Sequence, residues 1–253
     1  MGTNKALGQH WLKNRAILEE IAELAKSEVR TCVEIGPGLG TLTSSLLKRF
    51  DRVIAVEYDA RLAENLPKSF PGKNLEVVNE DILQFDFGRI TEPYVVAGNI
   101  PYYITSPIIE KLLKLENLPE RIVLLIQKEV AERIADKKET QLSLLVKNRA
   151  EIELGPVVKR AEFTPPPKVD SQVIVLMPHA PVVDDEVFRL VKIGFRAPRK
   201  KLVHNLATIK PKPEVEQILR ELGISPDARP GDLGLKEWGR LYDISKTCKK
   251  CEF

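Results

Sequence analysis

The chain has 253 residues, of which 43% are hydrophobic and 30% charged, and its formal net charge is +3. This composition is typical of a folded globular protein and excludes a disordered or low-complexity chain. The longest apolar runs, such as residues 122–126, are too short to span a bilayer. Residues 1–10 carry neither the apolar core of a signal peptide nor a myristoylation pattern. We therefore expect a cytoplasmic protein.

Helical and strand patterns alternate over the first 135 residues. Apolar residues at steps of three and four predict an opening helix around residues 17–24. Further strands are predicted over 32–35, 53–56, 75–78, 94–97 and 122–126, and helices over 41–50, 60–66, 108–115 and 128–135. This alternation predicts an α/β fold with a mainly parallel sheet, whose ligands lie outside the carboxyl ends of the strands.

The character of the chain changes after residue 161. Three consecutive prolines, residues 165–167, exclude a helix because they remove backbone donors and favour extended neighbours. A strand is predicted over 171–177, a linker over 178–181, and helices over 187–195, 200–207, 215–222 and 235–244. We therefore predict two domains, residues 1–180 and a small helical domain of residues 181–253.

The positive charge is concentrated in the second predicted domain. Up to Pro178 there are 24 basic and 25 acidic residues, and from His179 there are 15 basic and 11 acidic residues. A basic run, residues 192–201, contains no acid. Its basic residues are Lys192, Arg196, Arg199, Lys200 and Lys201. The run suits contacts with phosphate groups, although a solvated helix face would produce the same pattern.

The first sheet strand leads into a glycine loop, residues 34–40, with the sequence E-I-G-P-G-L-G. Its glycines, Gly36, Gly38 and Gly40, allow a ligand to approach the backbone closely. The spacing differs from the dinucleotide fingerprint, whose third glycine would fall on Thr41, and no P-loop lysine follows. The loop resembles that of class I methyltransferases, which bind S-adenosylmethionine. A plain strand-to-helix turn is the alternative.

Two acidic residues end or follow the next two strands. Glu57 ends the second strand, where a carboxylate can accept hydrogen bonds from both ribose hydroxyls of a nucleoside. Asp81 follows the third strand and is placed to accept a hydrogen bond from the adenine amino group of the cofactor. Tyr58 and Ile82 would supply the apolar walls around that adenine.

The fourth strand ends in the amine motif, residues 99–102, with the sequence N-I-P-Y. An aromatic amine is a weak nucleophile because its lone pair is delocalised into the ring. The side-chain oxygen of Asn99 and the carbonyl of Ile100 can accept its two N–H groups. Pro101 fixes the backbone, and Tyr102 can stack on the base. Preorganised dipoles of this kind typically contribute about 10²–10³ in rate per group. A proline turn with an asparagine cap is the alternative.

Together these motifs resemble the ribosomal RNA adenine dimethyltransferases, a family that also includes the macrolide-resistance methylases. The resemblance extends to residues 7–12, 127–131, 163–171 and 195–206 and covers nearly all of the chain up to Leu206. It implies a class I methyltransferase, Rossmann-like fold and S-adenosylmethionine as methyl donor, with no metal. The cofactor contacts that it implies are His10, Leu12, Gly36, Glu57, Asp81 and Asn99.

The resemblance also implies that Phe163 packs on the target adenine opposite Tyr102. Two positions depart from the family pattern. His10 stands where many members have asparagine, so a side-chain contact there can differ while a backbone contact would survive. Trp11 replaces phenylalanine and keeps an aromatic wall.

Residues 168–171 read K-V-D-S, where the resistance methylases more often read V-N-S, and this favours the small-subunit branch. We therefore expect N6,N6-dimethylation of two adjacent adenines near the 3′ end of small-subunit rRNA. The enzyme would be a monomer acting on a small ribosomal particle during ribosome biogenesis. The alternatives are a large-subunit rRNA methylase, an assembly factor whose methylation is incidental, and a small-molecule methyltransferase.

The chain has three cysteines, and two of them, Cys248 and Cys251, form a C-x-x-C motif. A structural zinc site needs about four ligands, and no second cysteine pair or nearby histidine accompanies this one. We therefore predict reduced thiols rather than a metal site.

Overall fold

A computed structural model describes residues 9–247, so Cys248 and Cys251 lie outside the described residues. The chain divides into two compact units. The first contains residues 9–132 and 150–178, and the second contains residues 133–149 and 179–247. Between residues 9 and 247, no helix is both long and apolar enough to cross a membrane. The same residues contain no cluster of three or more histidine, cysteine or carboxylate side chains that could hold a metal ion.

The first unit is built on a seven-stranded sheet with the order β4-β3-β2-β5-β6-β9-β7. Its strands are β2 (Thr31–Ile35), β3 (Arg52–Glu57), β4 (Leu75–Asn79), β5 (Tyr94–Asn99), β6 (Arg121–Gln127), β7 (Ala150–Val158) and β9 (Ser171–Pro178). The five strands from β4 to β6 pair in parallel, and β9 pairs antiparallel with both β6 and β7. This arrangement confirms the predicted α/β fold with a mainly parallel sheet.

Helices accompany the sheet along the first part of the chain. They are α1 (Arg15–Leu24), α2 (Thr41–Leu46), α3 (Ala60–Asn65), α4 (Thr105–Leu112) and α5 (Lys128–Ala135). The central strands are mostly apolar and can be covered on both faces, and all five residues of β2 are buried. The strand order reverses at β2, whose neighbours are β3 and β5. A ligand crevice is expected at such a switch point, outside the carboxyl ends of the strands.

A two-stranded sheet, which the sequence did not predict, joins two distant segments of the first unit. It pairs β1 (Trp11–Leu12) with β8 (Phe163–Thr164), with Leu12 opposite Phe163. Asn14 follows β1, accepts from the backbone of α1 as its N-cap and donates to Glu162. Strands of two residues carry no detectable alternation, so only the folded structure reveals this pairing.

Two longer elements were also absent from the sequence prediction, for physical reasons. Helix α6 (Gln141–Arg149) buries most of its residues, so it lacks the one-sided apolar stripe that marks an amphipathic helix. Strand β7 lies at the edge of the sheet, and its register shifts between Leu154 and Val157, around a Gly-Pro pair. Its alternation is therefore broken in the middle.

The second unit is helical. Its helices after α6 are α7 (Val187–Gly194), α8 (Leu202–Leu206), α9 (Lys212–Glu221) and α10 (Leu235–Thr247). They pack around Trp238, and Leu144 of α6 belongs to the same apolar cluster. Residues 133–149, placed in the first domain by the sequence prediction, thus belong to this unit. The helix predicted over 200–207 begins only at Leu202.

Candidate active site

A cavity of about 300 Å³ opens at the carboxyl ends of the central strands of the first unit. This volume lies at the lower end of the range for small-molecule sites. The cavity brings together twelve of the predicted site residues, namely His10, Leu12, Gly36, Gly38, Glu57, Tyr58, Asp81, Ile82, Asn99, Ile100, Pro101 and Tyr102. Predicted positions that are far apart in the sequence therefore line one space.

Residues 34–38 of the glycine loop line the cavity, and the loop has a backbone that glycine alone adopts readily. Gly36, Gly38 and Gly40 have φ values of 64°, 57° and 80°, a region that costs other residues free energy. A Cβ atom on Gly38 would also lie 3.3 Å from Nε1 of Trp11. The Trp11 side chain therefore packs closely against Gly38.

The carboxylate of Glu57 is buried and held in place by the backbone. One oxygen accepts from the N–H of Gly38 at 3.0 Å and the other from the N–H of Asp59 at 2.9 Å. Burial raises the pKa of the Glu57 carboxyl, and these backbone donors partly oppose that rise. Each carboxylate oxygen can accept more than one hydrogen bond. Glu57 can therefore bind a pair of ribose hydroxyls without moving.

Asp81 is a second carboxylate on the wall of the cavity, and its neighbours hold it in place. One Asp81 oxygen accepts from the N–H of Leu83 at 2.9 Å, which fixes the carboxylate at the end of β4. Lys111 donates to the carbonyls of Leu83 and Phe85 at 2.8 and 2.7 Å, so α4 anchors this segment. Tyr58, which is 64% exposed, and the buried Ile82 line the same cavity as Asp81.

Glu34, the first residue of the glycine loop, is a buried carboxyl on the cavity wall. Among the described residues its Oε2 atom has no hydrogen-bond partner. Burial raises the pKa of Glu34 to about 8, so the group is mostly protonated at neutral pH. The cavity wall therefore carries a neutral acid at this point.

Asn99 at the end of β5 has an amide whose orientation is fixed. Its Nδ2 atom donates to the backbone carbonyl of His10 at 2.9 Å. A carbonyl only accepts, so this bond assigns the nitrogen and leaves Oδ1 as the atom that can accept from a ligand. The bond provides the acceptor that an aromatic amine requires.

Tyr102 is held by its hydroxyl, which lies 2.7 Å from Oγ of Ser171. Burial raises the pKa of Tyr102, so the phenol stays neutral. The neighbouring His10 ring is held through its Nδ1 atom, which lies 2.8 Å from the carbonyl oxygen of Pro165. Both rings are thereby oriented by residues in or close to the K-V-D-S segment.

The other predicted site residues lie outside the cavity. Phe163 is 3% exposed and packs in the apolar core with Leu12, so its stacking role stays a prediction. The basic residues of the run belong to the second unit. Lys192 lies in α7, whereas Arg196, Arg199, Lys200 and Lys201 lie between α7 and α8, and Lys201 pairs with Asp227.

Several lining residues were not predicted as site residues. Trp11 and Tyr103 line the cavity, and the Tyr103 side chain is 64% exposed. Tyr103 directly follows the amine motif, and that position is the one feature of the sequence that could have identified it as a site residue. Lys111 lies 28 residues from Leu83 in the chain, and nothing in the local sequence announces that it anchors the Asp81 segment.

The glycine loop, the buried Glu57 carboxylate held by two backbone N–H groups and the Asp81 carboxylate line one cavity, and their chemistry is compatible with an adenosine-containing ligand. The amine motif adjoins that site. The fold and the site together therefore define a class I methyltransferase.

Comparisons with known proteins agree. A family model described as ribosomal RNA adenine dimethylase matches residues 2–247. A "ribosomal RNA small subunit methyltransferase A" from Nostoc sp. is 39% identical, over 95% of this chain and 97% of that protein. A dimethyladenosine transferase structure from Plasmodium falciparum has a TM-score of 0.79 at 29% identity, covering 93% of this chain and 97% of that one. The 23S rRNA methyltransferase ErmE has a TM-score of 0.73 at 29% identity, covering 92% and 98%.

The chain belongs to the ribosomal RNA adenine dimethylase family. It is therefore an enzyme that uses S-adenosylmethionine, and its substrate is ribosomal RNA. The resemblance inferred from the motifs is confirmed.

Proposed function

We propose that this chain dimethylates the N6 amines of two adjacent adenines near the 3′ end of small-subunit rRNA. It acts as a monomer on a small ribosomal particle, in the cytoplasm where such particles mature. The relatives named as small-subunit methyltransferases support this choice because they match nearly the whole chain at 36–39% identity.

The oriented Asn99 amide carries the chemical part of the proposal. Bound S-adenosylmethionine would supply a methyl group on a positively charged sulfur. Oδ1 of Asn99 accepts an N–H of the target amine, which draws electron density onto the nitrogen and stabilises the positive charge that develops there. After methyl transfer the positively charged nitrogen releases its proton to solvent water. The same contact serves the second transfer, because the monomethylated amine keeps one N–H.

The cofactor residues position the donor. Glu57 holds the ribose, and Asp81 with Tyr58 and Ile82 recognises the adenine. A target base within a structured RNA has to be extruded to reach the cavity. Stacking on Tyr102 offsets part of that cost, at about 1–3 kcal/mol per stacked base.

Methylation of isolated ribosomal particles tests the proposal. Small and large particles, each lacking the modification, are incubated with the purified protein and labelled S-adenosylmethionine. We expect label in the small particle alone, as dimethyladenosine at two neighbouring nucleotides. Label confined to the large particle would contradict the proposal and support the large-subunit alternative.

The same protein preparation tests the assembly-factor alternative. If Asn99→Ala abolished methylation but supported normal maturation of the small particle, binding rather than methylation would be the main role. Light scattering on the purified chain checks the expected monomer.

A further inference from the structure

The segment that presents Asp81 to the cavity is a short turn, residues 81–85. The Asp81 carbonyl accepts from the N–H groups of Gln84 and Phe85 at 2.8 and 2.9 Å. The Asp81 carboxylate accepts from the N–H of Leu83 at 2.9 Å. These bonds are local and fix the shape of the turn, so contacts with other elements have to fix its position in the first unit.

Lys111 of α4 provides a polar contact that holds this turn from outside. Its ammonium group donates to the carbonyls of Leu83 and Phe85 at 2.8 and 2.7 Å. It also lies 5.7 Å from the centroid of the Phe87 ring. An ammonium group has three donors, so it can bind both carbonyls at once. Lys111 does not line the cavity, so its effect on a ligand has to pass through the turn.

The charge of Lys111 also suits this position. Burial lowers the pKa of the Lys111 ammonium, and the nearby carboxylates of Glu80, Asp81 and Asp86 oppose that shift. A partly buried cation thus lies among three acidic residues of one short segment. Its charge reduces the repulsion between those carboxylates, which would otherwise push the segment apart.

We propose that Lys111 is a positioning residue that sets the selectivity of the cavity for adenine. By holding the Leu83 and Phe85 carbonyls, it keeps the Asp81 carboxylate where it accepts from the exocyclic amine of the cofactor. A hydrogen bond weakens steeply with angle and distance, so a small displacement of the turn reduces this bond more than it reduces the apolar contacts. The inference rests on the proposed function, in which Asp81 recognises that adenine, and deepens it.

Two ligands distinguish this role from a general effect on the fold. One is S-adenosylhomocysteine, and the other is its analogue whose purine lacks the exocyclic amine. The Kd of each is measured by calorimetry without RNA, and the ratio of the two Kd values reports the contact with the amine. A variant that is merely less stable changes both Kd values alike, so the ratio does not respond to it.

Three single variants are compared with the wild type. Lys111→Met keeps the apolar stem and removes the donors, whereas Lys111→Arg keeps a charged group that can donate to two carbonyls. Lys114→Met is the matched control, because Lys114 is an exposed lysine just beyond α4 that pairs with Glu110. Thermal stability and the kcat for small particles at saturating S-adenosylmethionine are recorded for each protein.

We expect the wild type to bind S-adenosylhomocysteine at least about tenfold more tightly than the analogue, because the amine donates to a charged acceptor. Lys111→Met should weaken the Kd of S-adenosylhomocysteine about tenfold and reduce the ratio to about twofold. Lys111→Arg should keep most of the ratio, and Lys114→Met should change neither quantity. The kcat of Lys111→Met should stay within about threefold of the wild type, because no group of the amine motif is altered.

Asp81→Ala and its combination with Lys111→Met show whether Lys111 acts through Asp81. Asp81→Ala should reduce the ratio to about twofold or less, and the double variant should reduce it no further. If Asp81→Ala removes the selectivity and Lys111→Met preserves it, the inference is overturned and the assignment of Asp81 stands. If Asp81→Ala preserves the selectivity, both are overturned. A wild type that discriminates between the ligands but methylates no small particle would contradict the proposed target alone.

Discussion

The cavity has a cofactor half around Glu57 and Asp81 and an amine half around Asn99 and Tyr102, and the two halves are assembled in different ways. In the cofactor half, backbone N–H groups hold the functional carboxylates, and the residues that they join are 19 or fewer positions apart in the sequence: Gly38 to Glu57, Asp59 to Glu57 and Leu83 to Asp81. In the amine half, the bonds join Asn99 to His10, Tyr102 to Ser171 and His10 to Pro165, across 89, 69 and 155 positions.

The two halves therefore depend on different parts of the fold. The cofactor half needs only the parallel sheet, because its residues lie at the aligned carboxyl ends of the strands. The amine half additionally requires that β1 and β8 pair, because the chain beside that pair supplies the His10 carbonyl and the Pro165 carbonyl. Substitutions in the cofactor half should therefore change cofactor affinity, and substitutions in the amine half should change the rate of methyl transfer.

The sharpest test of this division is Asn99→Ala. Loss of the oriented acceptor should lower kcat by about 10²–10³, while the Kd of S-adenosylhomocysteine changes by less than about tenfold, since Glu57 and Asp81, the predicted adenosine contacts, are unaltered. Asn74→Ala is the matched control, because that exposed amide also donates to a backbone carbonyl, that of Asp51, but lies outside the cavity. A cofactor affinity that falls as steeply as kcat would merge the two halves.

Glu57→Ala tests the other half. Two hydrogen bonds between a carboxylate and the ribose are removed, each contributing about 1.5 kcal/mol or more, so the Kd of S-adenosylhomocysteine should weaken about 100-fold. At saturating cofactor kcat should stay within about threefold, because no group at the amine is altered. Calorimetry and saturation kinetics measure the two quantities, with the exposed Glu64→Ala as control. A normal Kd would show that Glu57 does not contact the ribose.

The sequence predicted the cofactor half more completely than the amine half. Gly36, Glu57 and Asp81 follow strand patterns directly, so the parallel-sheet rule was enough to bring them together. The contact between Asn99 and His10 depends on a pair of two-residue strands that carry no sequence signal. Phe163 was assigned from a family motif, whose letters do not state which way a side chain points, and the structure places it in the core.

Glu34, on the cavity wall, gives a prediction about the pH dependence of stability. Its pKa is about 8 in the folded protein and 4.5 in the unfolded chain, so between these values the folded state retains a proton that the unfolded state releases. Stability is therefore greatest below pH 4.5 as far as this group is concerned, and it is lost as the pH rises towards 8. Between about pH 5.5 and 7.5 the loss should reach up to about 2.5 kcal/mol.

Glu34→Gln should flatten this pH dependence, because the amide does not titrate. Urea denaturation at several pH values measures the free energy of unfolding for both proteins. Glu19→Gln is a suitable contrast, since its ion pairs with Lys48 and Arg49 lower the pKa of that carboxyl. Parallel curves for the wild type and Glu34→Gln would mean that Glu34 is ionised in the folded protein.

The smallest effects are expected in the second unit, whose basic run does not line the cavity. The double variant Arg199→Ala/Lys200→Ala should weaken binding of the small particle and reduce the log–log salt slope by about 0.7–0.9 for each phosphate that the protein no longer neutralises. Lys201→Ala is the internal control, because Lys201 already pairs with Asp227 and should contribute less. Filter binding over a series of salt concentrations measures the slopes. If the slope and kcat of the double variant are unchanged, the basic run is a solvated surface that does not contact the RNA. Other residues must then provide the affinity for RNA.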